Sequence, residues 1–161
     1  MAGTLTVQNI EGPSSGANAN KVIIPGHVIQ VVHARTNTEV SGDTTTYTDT
    51  TLSASITPTS TSSKILIRVN QHIRWDRYGL SIRVVRDSTA IQEPANKFKL
   101  YSADTNDDLR AFYMIDIMDE PSSTSAITYK TQYASNVSSG ANIILQGNSF
   151  YSYITLMEVA Q

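Results

Sequence analysis

The fold is decided by residues 64–75, which read Lys64-Ile65-Leu66-Ile67-Arg68-Val69-Asn70-Gln71-His72-Ile73-Arg74-Trp75. Apolar and polar side chains alternate along this stretch. One face carries Ile65, Ile67, Val69, Ile73 and Trp75, and the other carries Lys64, Arg68, Asn70, His72 and Arg74. Successive side chains of a β-strand point to opposite sides. The stretch therefore predicts a strand with one buried side and one wet side.

Residues 47–57 and 125–133 repeat this alternation. Their inward positions carry Leu52, Ala54, Ile56, Ile127, Tyr129 and Tyr133. Further candidate strands lie at residues 27–35, 80–86, 109–118, 142–146 and 150–159, which gives about eight strands. No segment shows sustained helical spacing. We expect an all-β fold, an antiparallel β-sandwich of the jelly-roll type, with a seven-stranded immunoglobulin-like sandwich as the competing arrangement.

Composition supports this class of fold and excludes several functions. Ser and Thr make up about a quarter of the chain, well above ordinary usage, and they favour strands and turns. The net charge of -2 gives no electrostatic footprint for nucleic acid or an anionic membrane. Cysteine is absent, which rules out disulfides, thiolate metal sites and cysteine nucleophiles.

The first 20 residues differ from the remainder. Leu5, Val7 and Ile10 belong to a short alternating run, and a small, polar stretch containing Gly12, Pro13 and Gly16 follows it. Such a segment cannot form a core of its own. We expect residues 1–20 to be an anchoring arm and linker, and residues 21–161 to be the sandwich domain. Residues 1–6 lack the pattern of a signal peptide, and no apolar run reaches membrane-spanning length.

Two candidate strands, at residues 112–118 and 151–159, are apolar on both faces. A sheet with one solvated side does not require this pattern. We infer that another copy of the chain covers the second face. The interface residues predicted from these strands are Phe112, Met114, Ile115, Ile117, Tyr151, Tyr153 and Met157.

Three stretches carry a resemblance to a known family. They are residues 2–13 (AGTLTVQNIEGP), residues 21–32 (KVIIPGHVIQVV) and residues 152–161 (SYITLMEVAQ). Together they resemble the fibre-tip and virion-appendage domains of tailed phages that infect marine bacteria and cyanobacteria. The resemblance implies a trimeric, jelly-roll-like tip whose amino-terminal segment joins the virion or a longer shaft. Threefold closure would also hide apolar faces without leaving open sheet edges.

This resemblance leads to an expected function, location and set of partners. Related domains often end long fibre polypeptides, whereas here the domain makes up nearly the whole chain. We therefore expect a trimeric virion structural protein, namely a short tail fibre, a head fibre or a capsid decoration protein. It would be made in the host cytoplasm and carried on the virion surface. Its partners would be its own copies and other virion proteins, bound through Leu5, Val7 and Ile10, without nucleic acid or membrane insertion.

The alternative function is a fibre tip that recognises a glycan on the host surface. Trp75 has the parity of a core residue, so Tyr78, with Asp76 and Arg77, would be the exposed contact, because sugars stack on aromatic rings. A plain turn between two strands explains the same residues. The loops at residues 96–108 and 135–140 are equally plausible contact surfaces.

Catalytic, cofactor and metal sites are not predicted. His27 and His33 would lie about 20 Å apart along one strand, and His72 has no close histidine in sequence. Residues 104–108 (DTNDD) resemble the start of a calcium loop, but they lack its glycine and its bidentate glutamate. Asp116, Asp119 and Glu120 are close carboxylates without a defined catalytic spacing. We therefore expect a protein that is not an enzyme.

Overall fold

A computed structural model describes residues 24–94, 100–102 and 108–161, together with Ser14 and Val22. These residues form two packed antiparallel sheets, which confirms the all-β sandwich. The strands are β1 (Val28–Thr36), β2 (Val40–Gly42), β3 (Thr48–Ile56), β4 (Lys64–Trp75), β5 (Tyr78–Arg86), β6 (Thr89–Gln92), β7 (Leu100–Ser102), β8 (Leu109–Asp119), β9 (Ile127–Ser135), β10 (Ile143–Leu145) and β11 (Ser152–Val159). Within the described ranges, no helix is long and apolar enough to cross a membrane.

All eight strands predicted from the sequence are present. They correspond to β1, β3, β4, β5, β8, β9, β10 and β11. The three strands that were not predicted, β2, β6 and β7, have three or four residues each. A strand of that length offers at most two inward positions, so its alternation cannot be distinguished from chance.

The order of the strands is that of a jelly roll. Residues 64–70 of β4 pair with β11, and residues 65–75 pair with β8, so β8 and β11 lie on opposite edges of β4. Sheet A therefore runs β8-β4-β11-β1, and β10 and β2 continue it beside the end of β4. Sheet B runs β3-β9-β5, and β6 and β7 share its fourth position. Along the described strands, the chain crosses between the sheets six times, at β2-β3, β3-β4, β4-β5, β7-β8, β8-β9 and β9-β10, which folds the two sheets together.

The inward faces of the two sheets form one apolar core. The predicted inward residues of β3, β4 and β9 are all buried, and Trp75 packs within the same cluster. β5 and β11 complete the core with Leu80, Ile82, Val84, Ile154 and Leu156. The parity that the sequence predicted for residues 47–57 and 125–133 is therefore confirmed.

A buried polar network crosses this core. Gln71 occupies a core position of β4 and is fully buried. Thr131 from sheet B donates a hydrogen bond to Gln71 Oε1 at 2.9 Å, and Gln71 Nε2 donates to Ser152 Oγ at 2.9 Å. Thr50 bonds to Thr131 within the same network. Each of these four buried side chains thus has a partner, and the bonds fix the register of the two sheets.

Replacing Gln71 with alanine should therefore destabilise the fold. The change leaves a cavity and removes the shared partner of Thr131 and Ser152. We expect the free energy of unfolding to fall by about 2–3 kcal/mol, measured by urea unfolding at fixed protein concentration. Ser53→Ala, on the exposed side of β3, is the matched control and should stay within about 0.5 kcal/mol. A Gln71→Ala variant as stable as that control would contradict the role of the network.

Candidate interaction surface

Large apolar side chains meet solvent on one side of sheet A. This outer face of sheet A is formed by alternate residues of β8, β4, β11 and β1. On it Met114 is 74% exposed, Val31 57%, Met118 50% and Phe112 47%. Ordinary surfaces carry single exposed apolar residues, whereas a contiguous group marks an interaction site. The outer face is thus the candidate interaction surface of the described residues.

The strand registers arrange the outer face in cross-strand rows. The first row is apolar and consists of Met118, Leu66, Met157 and Val31. The second row is polar and consists of Asp116, Arg68, Thr155 and His33. The third row is mixed and consists of Met114, Asn70, Tyr153 and Arg35. Beyond the third row, the rings of Phe112, His72 and Phe150 contact one another.

The polar row is already paired within the chain. Arg68 donates from Nε and Nη2 to the two oxygens of Asp116, at 3.2 and 3.3 Å. Nδ1 of His33 lies 2.9 Å from Oγ1 of Thr155. A partner that covers this row would not leave an isolated charge buried, which is the costly outcome at an interface.

An open depression of about 300 Å³ lies over the second and third rows and reaches Met157 of the first. Met114, Asp116 and Arg68 line one side of it, and Tyr153 and Met157 line the other. Its walls combine apolar side chains with the paired Arg68 and Asp116. Such a depression can receive a side chain from a partner.

Apart from Tyr101 in the short strand β7, which is 60% exposed, the outer side of sheet B is polar. Asp49 accepts hydrogen bonds from Lys130 at 2.8 Å and from Gln132 at 2.7 Å, and Arg83 donates to Gln132 at 2.8 Å. Ser55 bonds to Thr128 at 2.8 Å. The two outer sides of the sandwich therefore differ in kind, and only that of sheet A carries exposed methionines.

The interface residues predicted from the sequence divide into two groups. Phe112, Met114, Tyr153 and Met157 lie on the outer face, with Tyr151 beside Tyr153 at a ring distance of 6.2 Å. Ile115 and Ile117 were assigned wrongly, because they point to the opposite side of β8. Ile115 is 6% exposed in the core, and Ile117 packs against it.

Four residues of the outer face were missed in the sequence: Val31, Leu66, Met118 and Phe150. Leu66 has the parity of the polar residues Arg68 and Asn70 in its strand, and Val31 has the parity of His33. An apolar residue at such a position is the signal that would have identified them.

His72 lies on the outer face of β4, as predicted, but that position is not exposed to solvent as expected. Its side chain does point outward, but Phe150 stacks on it at 4.5 Å and Phe112 meets it edge-on at 5.3 Å. The residue is consequently only 3% exposed. Burial, together with the positive charge of Arg110, lowers the pKa of His72.

The predicted receptor contact forms part of a structured turn. Nε of Arg77 donates to the carbonyl of Gly140, and its guanidinium lies 5.2 Å from the centre of the Tyr78 ring. Asn142 donates to Asp76 at 2.9 Å. These three residues are half-buried and hold the turn between β4 and β5 against the segment that leads to β10. Trp75 is buried in the core, as predicted.

The carboxylates considered for catalysis are engaged in separate ion pairs. Asp116 pairs with Arg68, and Glu120 pairs with Lys64 at 2.7 Å. Asp119 accepts from Arg86 at 2.9 Å and from the hydroxyl of Tyr129 at 2.7 Å. These contacts tie the three groups to different parts of the fold and do not gather them into one cleft.

Other predicted features are only partly covered by the structure. Among the described residues, no three His, Asp or Glu side chains are grouped closely enough to hold a metal ion. Residues 104–107 of the acidic loop lie outside the described residues, as do Leu5, Val7 and Ile10. Asp108 is described, and hydrogen bonds from Arg110 and Arg74 lower the pKa of its carboxyl group to about 2.

Comparison with known proteins does not assign the chain. No family model matches the sequence, and no curated protein matches it significantly.

The burial of His72 predicts a loss of stability at mildly acidic pH. Because the pKa of His72 is lower in the folded state, the unfolded chain takes up this proton first. The contribution of the neutral ring is fully present above about pH 6.5 and is lost as the pH falls below that value. We expect wild type to lose more free energy of unfolding between about pH 7.5 and about pH 5.5 than His72→Phe.

Urea unfolding at the two pH values measures this difference. Carboxylates contribute equally in both proteins, so the comparison isolates His72. The matched control is Ser53→Ala, an exposed change without a titrating group, which should keep the pH dependence of wild type. An equal loss in wild type and His72→Phe would contradict the prediction.

Proposed function

We propose that this protein is a structural component of a tailed-phage particle and works as a homotrimer. In the trimer, each copy buries the outer face of sheet A against its neighbours. The trimer forms a surface appendage, namely a short tail fibre, a head fibre or a capsid decoration. Residues 1–20 attach it to other virion proteins. The resemblance of residues 2–13, 21–32 and 152–161 to phage appendage domains supports the virion role, and the outer face supports the assembly.

One observation carries the assembly proposal, namely the exposure of Met114 and its neighbours on the outer face of sheet A. Covering a half-exposed side chain of this size contributes about 1 kcal/mol. About half or more of the surface is exposed in each of four residues, Met114, Met118, Val31 and Phe112. The polar outer side of sheet B offers no comparable gain. The physics therefore favours association through sheet A.

The outer face is suited to a contact between unlike patches, as a threefold arrangement requires. Its aromatic end carries Phe112 and Phe150, and its aliphatic end carries Val31 and Met157. In a closed ring, the aromatic end of one copy can pack on the aliphatic end of the next. The depression beside Tyr153 gives such a contact a place for an inserted side chain.

The proposal assigns no catalytic role. Asp116, Asp119 and Glu120 are each held in an ion pair, and these pairs serve the packing of the strands. For a protein of this kind, assembly and attachment are the activity. Both can be tested without a substrate.

A charge on the outer face should prevent assembly. We expect wild type to have the mass of three chains, or of a multiple of three chains, of 17.6 kDa each by light scattering. Val31→Glu places a carboxylate in the apolar row, and burying it is unfavourable. Its dissociation constant should rise by about tenfold or more, which corresponds to about 1.4 kcal/mol.

The control for this experiment is Ser53→Glu, which adds the same charge to the polar outer side of sheet B. It should keep the mass of wild type. Both positions are exposed, so we expect both variants to fold. Urea unfolding checks this expectation. A wild-type protein that stays monomeric at high concentration would contradict the proposal, and so would a Val31→Glu variant that assembles as wild type does.

Removing the arm should separate attachment from assembly. We expect a chain without residues 1–20 to fold and to keep the mass of wild type, because the outer face of sheet A lies outside the arm. The same chain should be missing from purified phage particles in a complementation experiment, measured by immunoblotting. Normal incorporation of the shortened chain would contradict the anchoring role.

A further inference from the structure

Strand β8 forms a long edge of sheet A that has no bulge, no proline and no lysine. It has eleven residues, and among the described residues its only ladder is with β4. That ladder runs from Leu109 to Asp119 without a register shift. The sequence of β8, LRAFYMIDIMD, contains neither proline nor lysine. Proteins normally shield such an edge with bulges, prolines, lysines or short strands, because it invites pairing with another chain.

The other edges in the described part of the chain are protected. The ladder of β1 shifts register between Val28 and Gln30, and that of β3 shifts between Asp49 and Ser53. β2, β6 and β7 have only three or four residues. Among the described residues β8 is therefore the longest regular edge, and its protection consists of the charges of Arg110, Asp116 and Asp119, which a strand of complementary charge can pair.

We propose that β8 pairs with β8 of a second copy, antiparallel, about a twofold axis at Tyr113. Each backbone of the pair would satisfy the open edge of the other, and sheet A would continue from one copy into the next. A twofold axis makes the contact isologous, so each residue of β8 meets its counterpart at the mirrored position. A second copy is the occupant because the side chains of β8 complement themselves in this register.

In this register, opposite charges face each other on the outer side. Arg110 lies opposite Asp116 of the second copy, and Asp116 lies opposite its Arg110. Phe112 lies opposite Met114 in the same way. Opposite-charge and aromatic pairs across strands are favourable.

The inner side of the paired edges is apolar. Leu109 meets Ile117, Ala111 meets Ile115, and Tyr113 meets itself. Every side chain from Leu109 to Ile117 therefore has a compatible counterpart.

Neighbouring registers are worse. Sliding the pair by two residues in one direction places Asp108 opposite Asp116, which sets like charges against each other. Sliding it by two residues in the other direction sets apolar side chains against carboxylates, since Phe112 then lies opposite Asp116 and Leu109 lies opposite Asp119. A slide by one residue would set inward side chains against outward ones, since the side-chain period of a strand is two.

The charges within each copy extend this arrangement. Asp116 binds Arg68, and Arg110 binds Asp108 at 2.6 Å. The pairing would therefore form a row of four charges of alternating sign. Arg68 and Asp116 of one copy would be followed by Arg110 and Asp108 of the second copy. Such exposed pairs contribute little singly, so their main effect is to select the register.

This pairing goes beyond the proposed trimer and is argued from a different feature. The twofold axis is perpendicular to sheet A, so the outer faces of both copies point to the same side. Threefold closure over the outer face and twofold pairing at its edge can therefore coexist, for example as two joined trimers.

Site-directed cross-linking tests the pairing. The chain has no cysteine, so a double variant with Arg110→Cys and Asp116→Cys carries only two thiols. In the proposed register, each thiol faces the other kind in the second copy at a Cα separation of about 5 Å, which a disulfide spans. Within one chain the two positions lie about 20 Å apart and cannot be bridged. Mild oxidation should give a covalent dimer on a denaturing gel.

The two single variants are the matched controls and should stay monomeric on the same gel, since each thiol then faces no other. Tyr113→Cys is a second variant that keeps both charges and should cross-link to itself. A dimer from either the double variant or Tyr113→Cys, without dimer from the controls, supports the pairing. No dimer from either variant, or equal dimer from the controls, overturns it.

The outcomes separate this pairing from the proposed function. Loss of cross-linking in a protein that keeps the mass of three chains overturns the edge pairing and leaves the trimer. A cross-linked protein with a mass of only two chains supports the pairing and overturns the trimer.

Discussion

A two-layer sandwich can cover only one side of each of its sheets, and this constraint governs the remainder of the structure. β8 and β11 have apolar side chains on both sides, so packing against sheet B satisfies only half of them. Ile115, Ile154 and Leu156 enter the core, whereas Met114, Tyr153 and Met157 are left on the outer face. The proposed burial of the outer face against other copies would remove the other half from water.

Contacts inside the sandwich fix the positions of the side chains on the outer face. Gln71 links the sheets through Thr131 and Ser152, and Asp119 joins the end of β8 to Arg86 and Tyr129 of sheet B. These contacts hold β4, β8 and β11 in one register. The outer rows therefore keep a defined order of apolar and polar groups. An association through them would cost little additional conformational entropy of the backbone.

The sequence predicts the strands well where alternation is long and clear, as in residues 64–75. It predicts them poorly where a strand is short, and it does not give the parity of a strand that is apolar on both sides. β6 and β7 are too short to show a period. Ile115 and Ile117 were misassigned because a segment that is apolar on both sides gives no parity, and only the pairing with β4 decides which side faces the core. The burial of His72 depends on Phe150, which reaches it from a turn before β11. Such contacts between distant segments have no local signal in the sequence.

The central claim is that the outer face of sheet A is covered by other copies, and methionine oxidation tests it most directly. Three of the four methionines of the chain, Met114, Met118 and Met157, lie on this face. Their oxidation by peroxide can be followed by mass spectrometry in the native protein and in the urea-unfolded chain. The account predicts that Met114, although 74% exposed in a single copy, reacts severalfold more slowly in the native protein. Equal rates for Met114 in the native and unfolded protein would contradict it.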